Sequence, residues 1–468
     1  MAGSQTKLPW DVLLDLKPDA GGPLHERLTA ALRSAINRRE LAVGDLLPPS
    51  RTLARELGCS RWAVTEAFGQ LVAEGYLEAR TGAGTRVRWA AGESAPDHPT
   101  EATRREPAPR FDLTPGLPDL RAFPRRHWAA AIATQSESVA FTEFGYPDPN
   151  GHPRLRELLA TYLRRARHVD AKADDVTICT SVTDGVRRLC QVLQDDGITA
   201  IGCEEPGWTR LRTVIQQTGM QTVPIATDTD GMRTDELAAH PELRAVLVTP
   251  AHQFPRGTVL SPQRRAALLG WARSVDGLVV EDDYDAEFRY DRRPVATLQG
   301  MDPSRVALVK SVSKTLSPAL GIGWMVTPHR WTTRLRAAPG TPALPPLLDQ
   351  LALADLVEHG IYDRHLRQLR LRYRARRDVL VDELGRLFPG YAVSGIAAGL
   401  HLVLDLPDAV DSAAVVRAAA AASLRLVDLR AYHHDARHAA NGLVLGYGNI
   451  TDSAAVEAAR LLHDVLRY

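Results

Sequence analysis

The stretch from Ala90 to Arg110, AAGESAPDHPTEATRREPAPR, holds no large apolar side chain. It cannot bury enough surface to offset the entropy of ordering it, so it reads as a flexible tether. A chain interrupted in this way folds as two bodies, residues 1–89 and residues 111–468. A length of 468 residues exceeds one ordinary domain, which agrees with that division. With 44% hydrophobic and 24% charged residues, the composition can fill a large core. The net charge is only +1, so any contact with nucleic acid must come from a local patch. Cys59, Cys179, Cys190 and Cys203 have neither C-x-x-C spacing nor the pattern of a disulfide framework, and are expected to be reduced thiols. No segment approaches the roughly 20 apolar residues of a membrane helix. The N-terminal residues lack the apolar core of a signal peptide, so a cytoplasmic protein is expected.

The first body carries three helix signals. Leu24, Leu28, Leu32, Ala35 and Ile36 recur at helical spacing. Ser50 can cap a second helix, Arg51 to Leu57, stopped by Gly58. Ser60 can cap a third, from Arg61 to about Glu74, with Val64, Ala67, Phe68 and Leu71 on one face. Residues 76–80 and 85–89, joined by Thr81-Gly82-Ala83-Gly84, read as a two-stranded wing. Together these elements make a winged helix-turn-helix, whose third helix enters the major groove of double-stranded DNA. Arg51, Arg61, Arg80, Arg86 and Arg88 supply a local basic face for phosphate contacts. A small helical domain for protein contacts would carry the same arginines as solvated residues.

Beyond Phe111, strand-like and helix-like segments alternate, which predicts an α/β fold with a mainly parallel sheet. Strand candidates are 176–180, 200–203, 245–249, 278–281, 306–310 and 323–326. Ligands of such sheets gather outside the carboxyl ends of the strands. There the sequence places Ser181 and Thr183 at a helix start, a possible phosphate cradle. Trp208, Asp282, Tyr284, Ser311, Ser313 and Lys314 follow other strands. A lysine and an acid converging at that edge suit pyridoxal phosphate (PLP): the lysine forms a Schiff base and the carboxylate keeps the pyridine nitrogen protonated.

The stretch from PLHERLTAAL to GAGTRV resembles the DNA-binding domain of the GntR family. That resemblance implies DNA contacts from Arg51, Arg61, Thr65 and Gly82. Where the family often has threonine in S-R-x-T-V, this chain has Ala63, which removes a possible phosphate-contacting hydroxyl. The second body, through YPDPNGHPRLRELLA, TPAHQFPRG, EDDYDAEFRY and SVSKTLSPAL, is similar to the fold-type I, class I aminotransferases, with a smaller C-terminal α+β subdomain implied. The two joined resemble the MocR family of bacterial transcriptional regulators. What this implies is PLP linked to Lys314, with Asp282 on the ring nitrogen, Tyr284 near the ring oxygen and Trp208 stacked on the ring. Ser181, Thr183, Ser311 and Ser313 would surround the phosphate, and Gln253, beside His252, would lie near the ring. Keeping P-x-G in register puts Phe254 at the family's asparagine position. Class I enzymes also pair subunits, which implies a homodimer in which Tyr146 reaches the partner's site.

Two departures bear on function. Gly321 stands where the family commonly has a phosphate-binding arginine, and Val444 where class I enzymes hold the substrate carboxylate. Arg210 remains as a candidate anchor for an effector, though a surface helix arginine would look the same. Without the usual anchor, poor turnover is expected, because orientation of the bound amino acid supplies much of the rate. The leading expectation is therefore a regulator that senses PLP or PLP plus an amine. Its targets would be vitamin B6 or amino-compound genes. The alternative is a working aminotransferase with an appended DNA-binding domain.

Overall fold

The computed structural model describes Trp10, Leu14 and residues 22–80, 84–89, 109–291, 295–340, 342–395, 397–435 and 440–467. The chain divides into two compact units, Met1–Glu106 and Pro107–Tyr468. Most of the tether read from the sequence, and Gly82 at the wing tip, lie outside the described residues.

In the small unit, helices α1 (Leu24–Asn37), α2 (Ser50–Glu56) and α3 (Arg61–Ala73) precede a wing of strands Leu77–Arg80 and Gly84–Val87. The Ser60 hydroxyl accepts the Ala63 amide at 3.2 Å and so caps α3. Val64, Ala67, Phe68 and Leu71 then fall on one buried stripe, against Leu28, Leu32 and Ile36 of α1. A bidentate Arg33–Glu74 pair at 2.7 Å ties α1 to the end of α3. The wing has a third strand, Leu46–Leu47, paired antiparallel with residues 85–86. Two residues are too short to leave a periodic signal, so the sequence predicts only two strands.

The large unit is built on one eight-stranded sheet. We number its strands β1 (Val176–Cys179), β2 (Ala200–Glu205), β3 (Gln221–Asp228), β4 (Gly231–Met232), β5 (Ala245–Val248), β6 (Leu278–Asp282), β7 (Val306–Ser311) and β8 (Gly323–Val326). Their spatial order is β1-β8-β7-β6-β5-β2-β3-β4. β7, β6, β5, β2 and β3 run parallel, and β8 is antiparallel to both its neighbours. The central strands are buried along their whole length, consistent with their unbroken apolar runs. All six sequence-predicted strands are present, with ends shifted by two residues or fewer. β3 was missed: it carries Pro224 and is half-buried or exposed everywhere but Ile225, as a strand near the sheet edge can be.

After the sheet, a 27-residue helix, Ile361–Leu387, leads into the C-terminal subdomain. That subdomain pairs strands Val393–Ser394, His401–Asp405, Gly442–Gly446 and Val427–Asp428 in one antiparallel sheet, flanked by helices Ser412–Ala421 and Asp452–Arg467. Among the described residues, no helix is long and apolar enough to cross a membrane.

Candidate functional site: a cavity at the strand ends and a basic helix start

In the small unit, Arg51 and Arg61 are exposed in the first turns of α2 and α3. The Arg61 guanidinium donates to the Ser50 hydroxyl at 3.4 Å, and the exposed Thr65 hydroxyl donates to the Arg61 carbonyl at 2.9 Å. Arg86 donates to the Gly44 carbonyl at 3.1 Å, and Arg80 pairs with Glu78 at 2.9 Å. Ala63, in the first turn of α3, is buried.

In the large unit, a cavity of about 660 Å³ opens beyond the carboxyl ends of the parallel strands. Lys314, three residues past β7, lies in its wall, and its amine donates to the Gly116 carbonyl at 2.6 Å. Burial pushes that amine below the usual lysine range, while Asp282 and Asp285 pull it back up. Asp282 ends β6 and is buried, and its Oδ1 has no hydrogen-bond partner among the described residues. Burial, and next the charge of Asp283, push its carboxyl up to about 7. A buried acid with an unused oxygen facing a cavity is costly unless a bound donor satisfies it.

The neighbouring acid behaves in the opposite way. Asp283 takes a bidentate contact from Arg167 at 2.7 and 3.1 Å and one from Lys310 at 3.0 Å, and Lys310 also reaches Glu287 at 2.9 Å. Burial alone would raise the Asp283 carboxyl, but the two cations outweigh it and hold it well below the usual range. One acid is saturated by protein cations, and the next in sequence is left to the cavity.

Ser181, Thr183, Ser311 and Ser313 line the same cavity. Ser181 caps the helix Val182–Asp195 through the Asp184 amide at 3.1 Å and shares a 2.8 Å contact with the Thr183 hydroxyl. First-turn amides of a helix lack intrahelical acceptors, so this corner can take an anion. Trp208 and Arg210 line the cavity at the start of helix Thr209–Gln217. Of the two lining arginines, Arg212 is bound to Glu205 at 3.1 Å and to the His433 carbonyl, whereas Arg210 is exposed and makes no ion pair among the described residues. The arrangement can condense a carbonyl with an amine, protonate or hold a ring nitrogen and cradle a phosphate.

Two of the expected cofactor residues do not join this group. Gln253 is buried outside the cavity: its amide donates to the Pro206 and Phe254 carbonyls at 2.8 and 2.7 Å and accepts the Arg256 amide at 3.0 Å. With both ends of the amide engaged, it is a loop brace, and Phe254 lines the cavity instead. Tyr146 is fully exposed and lies in a separate surface depression with Glu143, Asp148 and His152. Val444 is buried against Val403 and Leu429 and is not among the residues that line the cavity, whereas Tyr432, packed on that cluster, is. Gly321 adopts φ +58°, a left-handed conformation that would strain an arginine.

Sequence reasoning missed three participants. Gly116 is one: its carbonyl takes the Lys314 amine, and a Cβ there would sit 2.8 Å from that nitrogen. Asp285 and His401 are the others. His252 Nδ1 lies 2.9 Å from Asp285 Oδ2 and 2.9 Å from the Tyr284 hydroxyl, and His401 packs 5.2 Å from His252. Only the density of acids in EDDYDAE hinted at Asp285.

A winged helix joined to a body with this sheet order and a lysine–aspartate pair at the strand ends defines a class: a DNA-binding regulator carrying an aminotransferase-like domain. A family model described as bacterial regulatory proteins, gntR family, matches residues 24–87, and one described as aminotransferase class I and II matches residues 117–435. The probable rhizopine catabolism regulatory protein MocR of Rhizobium meliloti is 33% identical over 460 residues, covering 94% of this chain and 92% of that protein. The pyridoxine biosynthesis transcriptional regulator PdxR of Corynebacterium glutamicum is 33% identical over 453 residues, covering 94% and 95%. An archaeal alanine:glyoxylate aminotransferase superposes with a TM-score of 0.70 at 21% identity, over 76% of this chain and 90% of its own, a likeness of fold. The chain belongs to the MocR family of GntR-type transcriptional regulators.

Proposed function

We propose that this regulator binds PLP as a Schiff base on Lys314 and changes operator affinity when PLP, or PLP with an amine, is bound. The observation that carries the reading is Asp282: a buried carboxyl with an oxygen unpartnered among the described residues, lining the same cavity as a lysine of lowered basicity. A protonated ring nitrogen supplies the donor that Asp282 lacks, and the bound cofactor supplies an electron sink. Ser181, Thr183, Ser311 and Ser313 hold the phosphate, Trp208 covers the ring, and Tyr284 donates toward the ring oxygen. Arg210, unpaired at the cavity edge, takes an anionic group of the effector. Arg51, Arg61, Thr65 and Gly82 contact operator DNA. The names of two relatives, PdxR and the vitamin B6 salvage repressor PtsJ of Salmonella typhimurium (28% identical), support B6 genes as targets.

The protein acts as a homodimer in this reading, with Tyr146 completing the partner's cavity. Full exposure of Tyr146, with Phe141 and Phe144 also exposed nearby, supports it. Efficient transamination is not expected, since buried Val444 stands in place of the usual carboxylate anchor. Visible absorbance with PLP, before and after Lys314→Ala, tests the cofactor claim: the wild type should show a band that the variant lacks. Equal operator affinity with and without PLP would remove PLP as sole effector. Robust turnover of common amino-acid and keto-acid pairs would favour the enzyme instead.

A further inference from the structure

Behind Tyr284 lies a buried pair with no role in the reading above. His252 and Asp285 are 3% and 1% exposed, and the imidazole Nδ1 sits 2.9 Å from both Asp285 Oδ2 and the Tyr284 hydroxyl. The packing around them is close: a Cβ on Gly399 would lie 2.2 Å from His252 Cε1 and 2.6 Å from Asp285 Oδ2. An Nδ1 between two oxygens holds at most one proton. The buried Asp285 carboxylate needs donors; Nδ1–H lies 2.9 Å from its Oδ2, and the Tyr284 hydroxyl is the second donor near it. With the proton on Nδ1 and given to Asp285, the imidazole offers the tyrosine no acceptor and takes up the Asp285 oxygen that would compete for the phenol proton, which can then point into the cavity. Were Nδ1 bare, the phenol would donate backward to it, and the cavity would lose that donor.

The other groups facing Tyr284 favour the same arrangement. Burial, then Asp285, Asp282 and Glu204, push its phenol far above the usual range, so it keeps its proton. His401 donates from Nε2 to the Pro255 carbonyl at 3.0 Å, and burial with His252 beside it lowers its pKa to about 3, so it brings no charge. Lys314, Arg210 and Arg212 are the cations that line the cavity. Phe254, also in the wall, offers no donor.

We propose that His252 and Asp285 are positioning residues that aim the Tyr284 hydroxyl proton at the ring oxygen of the bound cofactor. This rests on the PLP reading and adds a role for two residues outside it. His252, Asp285 and His401 also offer ligand atoms within 4.8 Å of one another, so a metal is the rival occupant. The hydrogen bonds that His252 and His401 already make favour the proton arrangement.

The test is the pH titration of the visible absorbance of the full-length protein reconstituted with PLP. A donor on the ring oxygen stabilises its anionic form and lowers the pH at which the lysine–cofactor linkage loses its proton. Tyr284→Phe should therefore raise the titration midpoint by about 1–2 pH units, the worth of one hydrogen bond to a charged oxygen. His252→Leu should move it the same way, and His252→Asn, which keeps a donor in place, should stay near wild type. In the Tyr284→Phe background, His252→Leu should add nothing, because it acts through that hydroxyl. If His252→Leu does not fold, Asp285→Asn replaces it; loss of its charge beside Lys314 lowers the midpoint in both backgrounds, so the expected result is a shift more positive with Tyr284 present than in Tyr284→Phe. A wild-type midpoint in His252→Leu, or the same shift in both backgrounds, overturns the proposal. So does stoichiometric zinc uptake that His252→Asn abolishes. Absence of any visible band in the wild type instead defeats the cofactor reading itself.

Discussion

The two units carry charge in contrasting ways. On the small unit the basic side chains, Arg51 and Arg61 among them, stand in solvent at helix starts, with no cost of burial. In the large unit the charges that matter are inside: Asp283, Arg167 and Lys310 are each 2% exposed or less, and Asp282 beside them is 5% exposed. An exposed arginine keeps its ordinary chemistry wherever the backbone puts it. A buried acid takes its chemistry from its neighbours, so Asp282 and Asp283, adjacent in sequence, are driven in opposite directions. Surface function can change with little effect on the fold, whereas the cavity is coupled to the stability of its unit.

The sharpest way to break that contrast is Asp283→Ala. It strands Arg167 and Lys310 without their shared partner, and should cost the large unit about 3–5 kcal/mol in urea unfolding. A loss under 1 kcal/mol would mean the buried network is not what holds the end of β6. Next comes Asp282→Asn. A carboxyl raised to about 7 in the folded state makes the cofactor-free protein lose stability as pH climbs from the ordinary carboxylate range through 7. Glu204 and Glu281, also pushed up to about 7 by burial, act in the same direction. The asparagine variant should match wild type near pH 4 and exceed it at pH 8 by on the order of 2 kcal/mol. Equal stability of the two at pH 8 would show Asp282 to be solvated.

Smaller effects belong to the small unit. Ser60→Ala removes the cap of α3 and should lower that unit's stability by about 1 kcal/mol, leaving the large unit's transition in place. Arg61→Ala should change stability by less than about 0.5 kcal/mol. Its effect should be seen in binding to a mixed-sequence DNA duplex, where the dependence of log affinity on log salt flattens by about 1. An unchanged salt slope would remove Arg61 from the phosphate contacts.

How far the sequence could be read follows the same division. Helix α3 was legible because its cap, apolar stripe and stop are local, and the structure agrees to within one residue. The central strands were legible as apolar runs, but β3 was not, since Pro224 and partial exposure disguise it. Within the cavity, Lys314, Asp282, Trp208 and the four hydroxyls could be named because each follows a strand end. Gln253 was named for the cofactor, but its amide is engaged by its own loop, and sequence does not show where a side chain spends its hydrogen bonds. Gly116 was invisible for a related reason: what it offers Lys314 is a carbonyl, which every residue has.

By itself the amino-acid sequence determined the two bodies, their fold classes and the residue types gathered at the strand ends. Those features depend on local periodicity, capping and composition, which need no knowledge of distant neighbours. Tertiary structure alone decided which acid is satisfied and which is left waiting. It also decided that Ala63 faces inward, and that His252, thirty-three residues from Asp285, shares its Nδ1 with that acid and Tyr284. Hydrogen bonds and desolvation act over a few ångströms between chain segments far apart in sequence, so only the folded arrangement fixes them.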